Sequence, residues 1–153
     1  MLLKTKNVYA TPIRKKDITR ISYGESPAHV GPLVNSIDFM VPEGTPVLAA
    51  ADGVVVDLKD DSEIGGTEQK FEKYGNFVEV EHENKECSEY EHLKKGLSVK
   101  IGDNVKKGQI IGHSGATGWL AHLGPHLHFM VGIYGKTNKD YKTLEVVFEN
   151  TGV

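Results

Sequence analysis

Residues 124–131 read GPHLHFMV and place two histidines, His126 and His128, two residues apart in an apolar run. In a strand such neighbours project to the same face, with Leu127 turned to the other. Burying two imidazoles calls for polar partners, and histidine is the commonest metal ligand among side chains. The competing reading is two neighbouring core or surface histidines. A zinc hydrolase needs three protein ligands and one open position for water. The metal then lowers the pKa of that water towards ~7 and polarises the scissile carbonyl. The carboxylate best placed to join a histidine is Asp38, flanked by Ile37 and Phe39 and followed shortly by Pro42. An acid in an apolar strand is costly unless it is paired or metal-bound. Most other carboxylates fall in polar loops or on the solvent face of a strand.

The elements that must hold these groups read as short strands separated by turns. TPVLAAADGVVVDL suggests two strands around a tight turn at Ala51, Asp52 and Gly53. GNFVEVEHE alternates, with Phe77, Glu79 and Glu81 on one side and Val78, Val80 and His82 on the other. LSVKIGDNVKKGQIIGHSG supplies two more short runs, HLHFMVGIYG another, and TLEVVFEN a last strand at about residues 143–150. Turn signals at intervals of about eight to twelve residues favour an all-β sandwich or barrel. Residues 15–20 have room for a turn at most, and no helix is expected. VPEGTPVLAAADGVVV and VKIGDNVKKGQIIGHSG echo one another as strand, glycine-centred turn, strand, which suggests a duplicated unit. The expected fold is a two-layer antiparallel assembly with an open groove. Its walls are residues 60–73, residues 119–124 and the N-terminal segment.

Composition narrows the classes. A chain of 153 residues with 39% hydrophobic and 25% charged content reads as one soluble globular domain. A net charge of −3 carries no basic footprint for nucleic acid. No apolar run reaches the ~18 residues of a membrane span, and the N-terminus is too poor in apolar residues for a secretion signal. The expectation is a cytosolic protein or a trimmed mature domain, and a monomer. The single cysteine, Cys87, lacks a disulfide partner and CxxC spacing and is read as an inert, partly buried thiol.

DFMVPEGTPVLAAADGVV, YGNFVEVEH, YEHL, VKIGDNVKKGQIIGHSGATG and GPHLHF occur in this order across residues 29–131. Together they resemble the motif series of the lysostaphin-type zinc metallopeptidases, the LytM-like peptidoglycan endopeptidases. The resemblance implies that Asp38 and His128 bind Zn2+. It also implies that His126 and His92 flank the zinc-bound water, deprotonate it, and stabilise the tetrahedral intermediate or protonate the leaving amine. One ligand departs from the usual spacing. The family's first histidine stands four residues before the aspartate, where this chain has Val34. His29, nine residues before Asp38, is the nearest upstream histidine and the expected third ligand. Loop closure costs little more at that length. The other reading leaves His29 a loop histidine and the site incomplete, with His122 or His82 to be reconsidered. His122, Trp119 and Tyr74 are candidate substrate contacts on a bulkier rim. Tyr90 and Tyr74 can line the groove or simply pack, and His82 and His113 read first as structural.

The implied activity is zinc-dependent hydrolysis of cross-links or stem peptides in bacterial peptidoglycan. The alternative is a LytM-like regulatory or wall-binding module without catalysis. A third reading, a biotinyl or lipoyl carrier, needs a modifiable lysine at a hairpin tip, and the nearest, Lys59, has the wrong setting.

Overall fold

In the computed structural model, residues 3–23, 29, 31–121, 124–137 and 140–149 are described. The strands in chain order are β1 (Lys4–Tyr9), β2 (Arg20–Tyr23), β3 (Ile37–Met40), β4 (Pro46–Leu48), β5 (Gly53–Lys59), β6 (Gly65–Gly66) and β7 (Asn76–Glu81). They continue with β8 (Cys87–Leu93), β9 (Asn104–Val105), β10 (Ile110–His113), β11 (Gly118–Trp119), β12 (His126–Ile133), β13 (Lys142–Thr143) and β14 (Glu145–Phe148). Helical structure among the described residues is limited to 3-10 turns at Lys15–Asp17, Gly31–Leu33, Gln69–Tyr74 and Glu83–Lys85.

One eight-stranded sheet dominates, in the order β2-β3-β12-β8-β7-β5-β9, with β13 added to β12. Its pairings are antiparallel. Alternation divides its faces. Ile37, Phe39, Val78, Val80, Tyr90, Leu127, Phe129 and Val131 point inward and belong to one buried apolar cluster. The second layer supplies Val47 from β4, Ile111 from β10 and Tyr9 from β1 to the same cluster. Asp38, His126, His128 and Glu91 alternate with these inward residues and therefore share the opposite, outer face.

The echoed segments do pair with one another, though not as two hairpins. β4 pairs with β10, and β5 pairs with β9, both antiparallel. The Asp52-Gly53 step is therefore a corner that carries the chain from one layer to the other. Gly53 answers to close packing here. A Cβ on it would lie 2.4 Å from the Glu81 carbonyl oxygen of neighbouring β7. Of the run at residues 97–105, only Asn104–Val105 is a strand.

The walls also differ from expectation. β6 and β11 form a short parallel pair, Gly65 with Gly118 and Gly66 with Trp119. Residues 60–73 and the start of residues 119–124 are thus joined. β1 pairs in parallel with β14, and its Tyr9 lies in the core. This part of the N-terminal segment therefore supports the inner layer instead of a groove wall. β2 lies beside β3 at the sheet edge.

Candidate active site

Register builds the site. On β3 and β12, Asp38 stands directly opposite His128, and Met40 opposite His126. Directly opposed residues share a face and come close. The Asp38 Oδ1 to His128 Nδ1 distance is 3.1 Å. His29 arrives from outside the sheet. Nine extended residues would span ~30 Å. Instead the chain coils through the 3-10 turn Gly31–Leu33 before entering β3, and His29 Nε2 comes 3.1 Å from Asp38 Oδ2 and 3.3 Å from His128 Nδ1. All three side chains are at most 5% exposed.

These separations suit a metal. Ligand atoms bonded to a tetrahedral Zn2+ at ~2.0–2.1 Å lie about 3.3 Å apart. His29, Asp38 and His128 offer donor atoms all within 4.8 Å of one another. Asp38 Oδ2 is buried yet makes no aligned hydrogen bond, despite its nearness to His29. An unsatisfied buried carboxylate oxygen is costly, and a cation at this point would satisfy it. The donor set, two imidazoles and one carboxylate, is of a kind that zinc takes.

The other two histidines flank this triad. The His126 ring lies 4.6 Å from that of His92, and the His92 ring 5.9 Å from that of His128. His126 Nε2 is 3.6 Å from Asp38 Oδ1. Each ring donates Nδ1–H to a backbone carbonyl, His126 to Gly124 at 2.7 Å and His92 to Thr117 at 2.8 Å. In a neutral ring this leaves Nε2 as the acceptor.

His92 reaches the site through a β-bulge. Asn76 pairs with Leu93 and Phe77 with Glu91, so His92 is the extra residue of β8. Its φ is 66°, an uncommon conformation for a side-chain-bearing residue. In a regular strand Glu91 and His92 would face opposite ways. Here Glu91 Oε2 lies 3.2 Å from His128 Nε2 while the His92 ring packs on His126. The bulge is clamped on both sides. Asn76 Nδ2 and the Thr117 hydroxyl both donate to the Leu93 carbonyl, and Gly115 N–H donates to the His92 carbonyl.

Electrostatics follow burial and contact. For Asp38, burial works to raise the carboxyl, but contacts with His128 and His29 overcome it and hold it well below the usual carboxylate range. Burial, then nearby His126 and His128, drives His92 down to about 3. His126 is also lowered, chiefly by burial, against the opposing pull of Asp38. His128 is raised: burial opposes its charge, but Glu91 and Asp38 outweigh it.

Of the expected residues, the structure brings His29, Asp38, His92, His126 and His128 together. His122 lies outside the described residues. Trp119 and Tyr74 stand on the joined wall, with Trp119 Nε1–H donating to the Thr67 carbonyl and Tyr74 beside Phe71. Tyr90 is fully buried, its hydroxyl accepting from Ala50 N–H. His82 is buried and bonded to the Asp52 carbonyl and Ser88, and His113 ends β10 half-buried. Cys87 is more deeply buried than expected, which pushes its thiol up to about 12. Lys59 ends β5 and pairs with Asp61 at 2.6 Å. Sequence reasoning missed Glu91, Asn76 and Thr117. Glu91 was visible as the residue beside His92 in YEHL, but only the bulge turns both towards His128.

Residues 33–140 match peptidase family M23. Asp38, His92, His126 and His128 fall inside that stretch and His29 precedes it. The chain is 34% identical over 137 residues to the peptidoglycan DD-endopeptidase ShyC of Vibrio cholerae, covering 85% of this chain and 28% of that one. It spans between about a fifth and a third of the length of ShyC and other curated relatives. Among solved structures, a zinc-containing peptidase from Vibrio cholerae superposes with a TM-score of 0.59 at 33% identity, covering 82% of this chain and 36% of the other. The catalytic domain of the antimicrobial peptidase lysostaphin from Staphylococcus simulans gives 0.57 at 30% identity, with 81% and 87% covered. Sequence match, relatives and backbone similarity converge: this chain belongs to peptidase family M23.

Proposed function

We propose that this chain is a zinc-dependent endopeptidase that hydrolyses cross-links or stem peptides of bacterial peptidoglycan, and that its 153 residues form one catalytic domain. The observation that carries the reading is the buried triad His29, Asp38 and His128, whose donor atoms stand 3.1–3.3 Å apart. Zn2+ held there supplies Lewis acidity and acidifies a coordinated water.

The chain's own groups do the rest. His29, Asp38 and His128 hold the ion. His92 and His126 are neutral at pH 7, because burial disfavours their charged forms. With Nδ1–H committed to the Thr117 and Gly124 carbonyls, Nε2 of each ring is the atom that takes a proton from the attacking water. A ring charged in so buried a setting gives the proton up readily, and the leaving amine is its acceptor. The name of ShyC as a peptidoglycan DD-endopeptidase supports the wall-peptide substrate.

The test is digestion of purified peptidoglycans of different cross-link chemistry, with mass spectrometry of the released fragments. The zinc-loaded chain should release peptide fragments from at least one wall type, and a chelator should abolish release. No fragments from any wall, at full zinc occupancy, would sink the reading. A docking module would give that same silence.

A further inference from the structure

The metal triad is part of a longer rung across the sheet. Ser22, Asp38, His128 and Glu91 stand directly opposite one another, strand to strand, on β2, β3, β12 and β8. Asp38 and His128 are its middle members. His128 directs Nδ1 at Asp38 and His29, at 3.1 and 3.3 Å. Its other nitrogen, Nε2, is buried and makes no aligned hydrogen bond, yet Glu91 Oε2 lies 3.2 Å away. The contact is close in distance but off the N–H direction. The Glu91 side chain is 31% exposed.

We infer that Glu91 is a positioning residue for the metal site: its carboxylate accepts Nε2–H of His128 and so holds Nδ1 unprotonated and aimed at the ion. The inference rests on the zinc reading of the triad. Its chemistry is general. A ligating imidazole has two nitrogens, and the partner of one sets which tautomer offers the other to the metal. Carboxylates in this role orient the ring and raise its basicity, and their loss costs about 10–100-fold in metal affinity. Glu91 is suited to the task because the bulge at His92 leaves it in register with His128. Glu89, two residues earlier on the same strand, stands opposite Met130 and away from the imidazole.

The experiment measures Zn2+ affinity of the whole chain by chelator competition, without substrate. Glu91→Ala should bind Zn2+ about 10–100-fold more weakly than the unaltered chain. Glu91→Gln keeps an acceptor oxygen and should remain within about fivefold of the unaltered chain. Glu89→Gln removes another carboxyl group of β8 and should leave affinity unchanged. If the Ala variant does not fold, Glu91→Leu fills the space without an acceptor and carries the same expectation. An Ala or Leu variant within about threefold of the unaltered chain overturns the inference. So does a Gln variant as weak as Ala, or a Glu89→Gln loss of equal size, since either would mean that affinity follows the carboxyl groups of β8 in general and not the Glu91 contact with His128. Failure of the zinc reading looks different, because the unaltered chain would then hold no stoichiometric Zn2+.

Discussion

The five clustered side chains divide by what each atom has left over. Asp38 and His128 turn donor atoms to a common point with His29. His92 and His126 spend Nδ1 on backbone carbonyls and keep Nε2. Two classes of variant should follow. Asp38→Ala and His128→Ala each remove a ligand, so metal content and turnover should fall together. His92→Ala and His126→Ala should keep about one zinc per chain while turnover falls by ~10²-fold or more. Metal analysis alongside peptide-release rates separates the classes. A His92→Ala chain with an unchanged rate would remove His92 from the mechanism.

At the scale of elements, the segment before β11 decides where His92 points. Gly118 has φ 87°, and a Cβ there would lie 2.8 Å from Gly75 Cα and 3.3 Å from His92 Nδ1. Only glycine lets this segment approach closely enough for the Thr117 carbonyl to accept from His92. Gly118→Ala is therefore expected to cost about 1–3 kcal/mol of stability from strain. It should also lower turnover at full zinc occupancy, because relieving the clash with the Gly75 backbone displaces the neighbouring Thr117 carbonyl that holds the His92 ring. Urea unfolding together with rates on the metal-loaded chain checks both effects. Unchanged turnover would mean that the bulge holds His92 without this contact.

For the molecule as a whole, a polar chain stitches the two layers together at the corner between β4 and β5. The Asp52 carbonyl, the His82 ring, Ser88, the Tyr90 hydroxyl and Ala50 N–H are linked in sequence by hydrogen bonds of 2.7–2.9 Å. Burial lowers the pKa of His82, with the Asp52 carbonyl and nearby Glu86 pulling the other way. A histidine whose folded pKa is depressed stays neutral where the unfolded chain takes up a proton. Its contribution is full above the unfolded value of 6.5 and is lost as pH falls below it. The metal-free chain should therefore weaken between about pH 7 and 5.5. His82→Gln should make that slope shallower by up to about 1.4 kcal/mol per pH unit, one proton's worth. The other buried histidines are common to both chains and cancel. Equal slopes in urea denaturation would show that His82 takes its proton in the folded state.

Sequence by itself determined the parts that depend on local pattern. The alternation of Val78 and Val80 with Glu79 and Glu81, and the His-x-His spacing of β12, are properties of a period-two strand. They named the inner and outer faces, and an acid between Ile37 and Phe39 marked Asp38. The all-β architecture was legible for the same reason. Tertiary structure decided what depends on how strands pair and how loops fold back on them. Asp52-Gly53 looks locally like a hairpin turn, but the partners of β4 and β5 are β10 and β9, and their pairing makes it a corner. His29 is within reach of Asp38 because a 3-10 turn folds nine residues back on β3. Glu91 and His92 face the same cluster because an extra residue is accommodated against Asn76 and Phe77 of a neighbouring strand. Bulges and register arise from pairing between strands, and the residue pattern of either strand alone does not fix them.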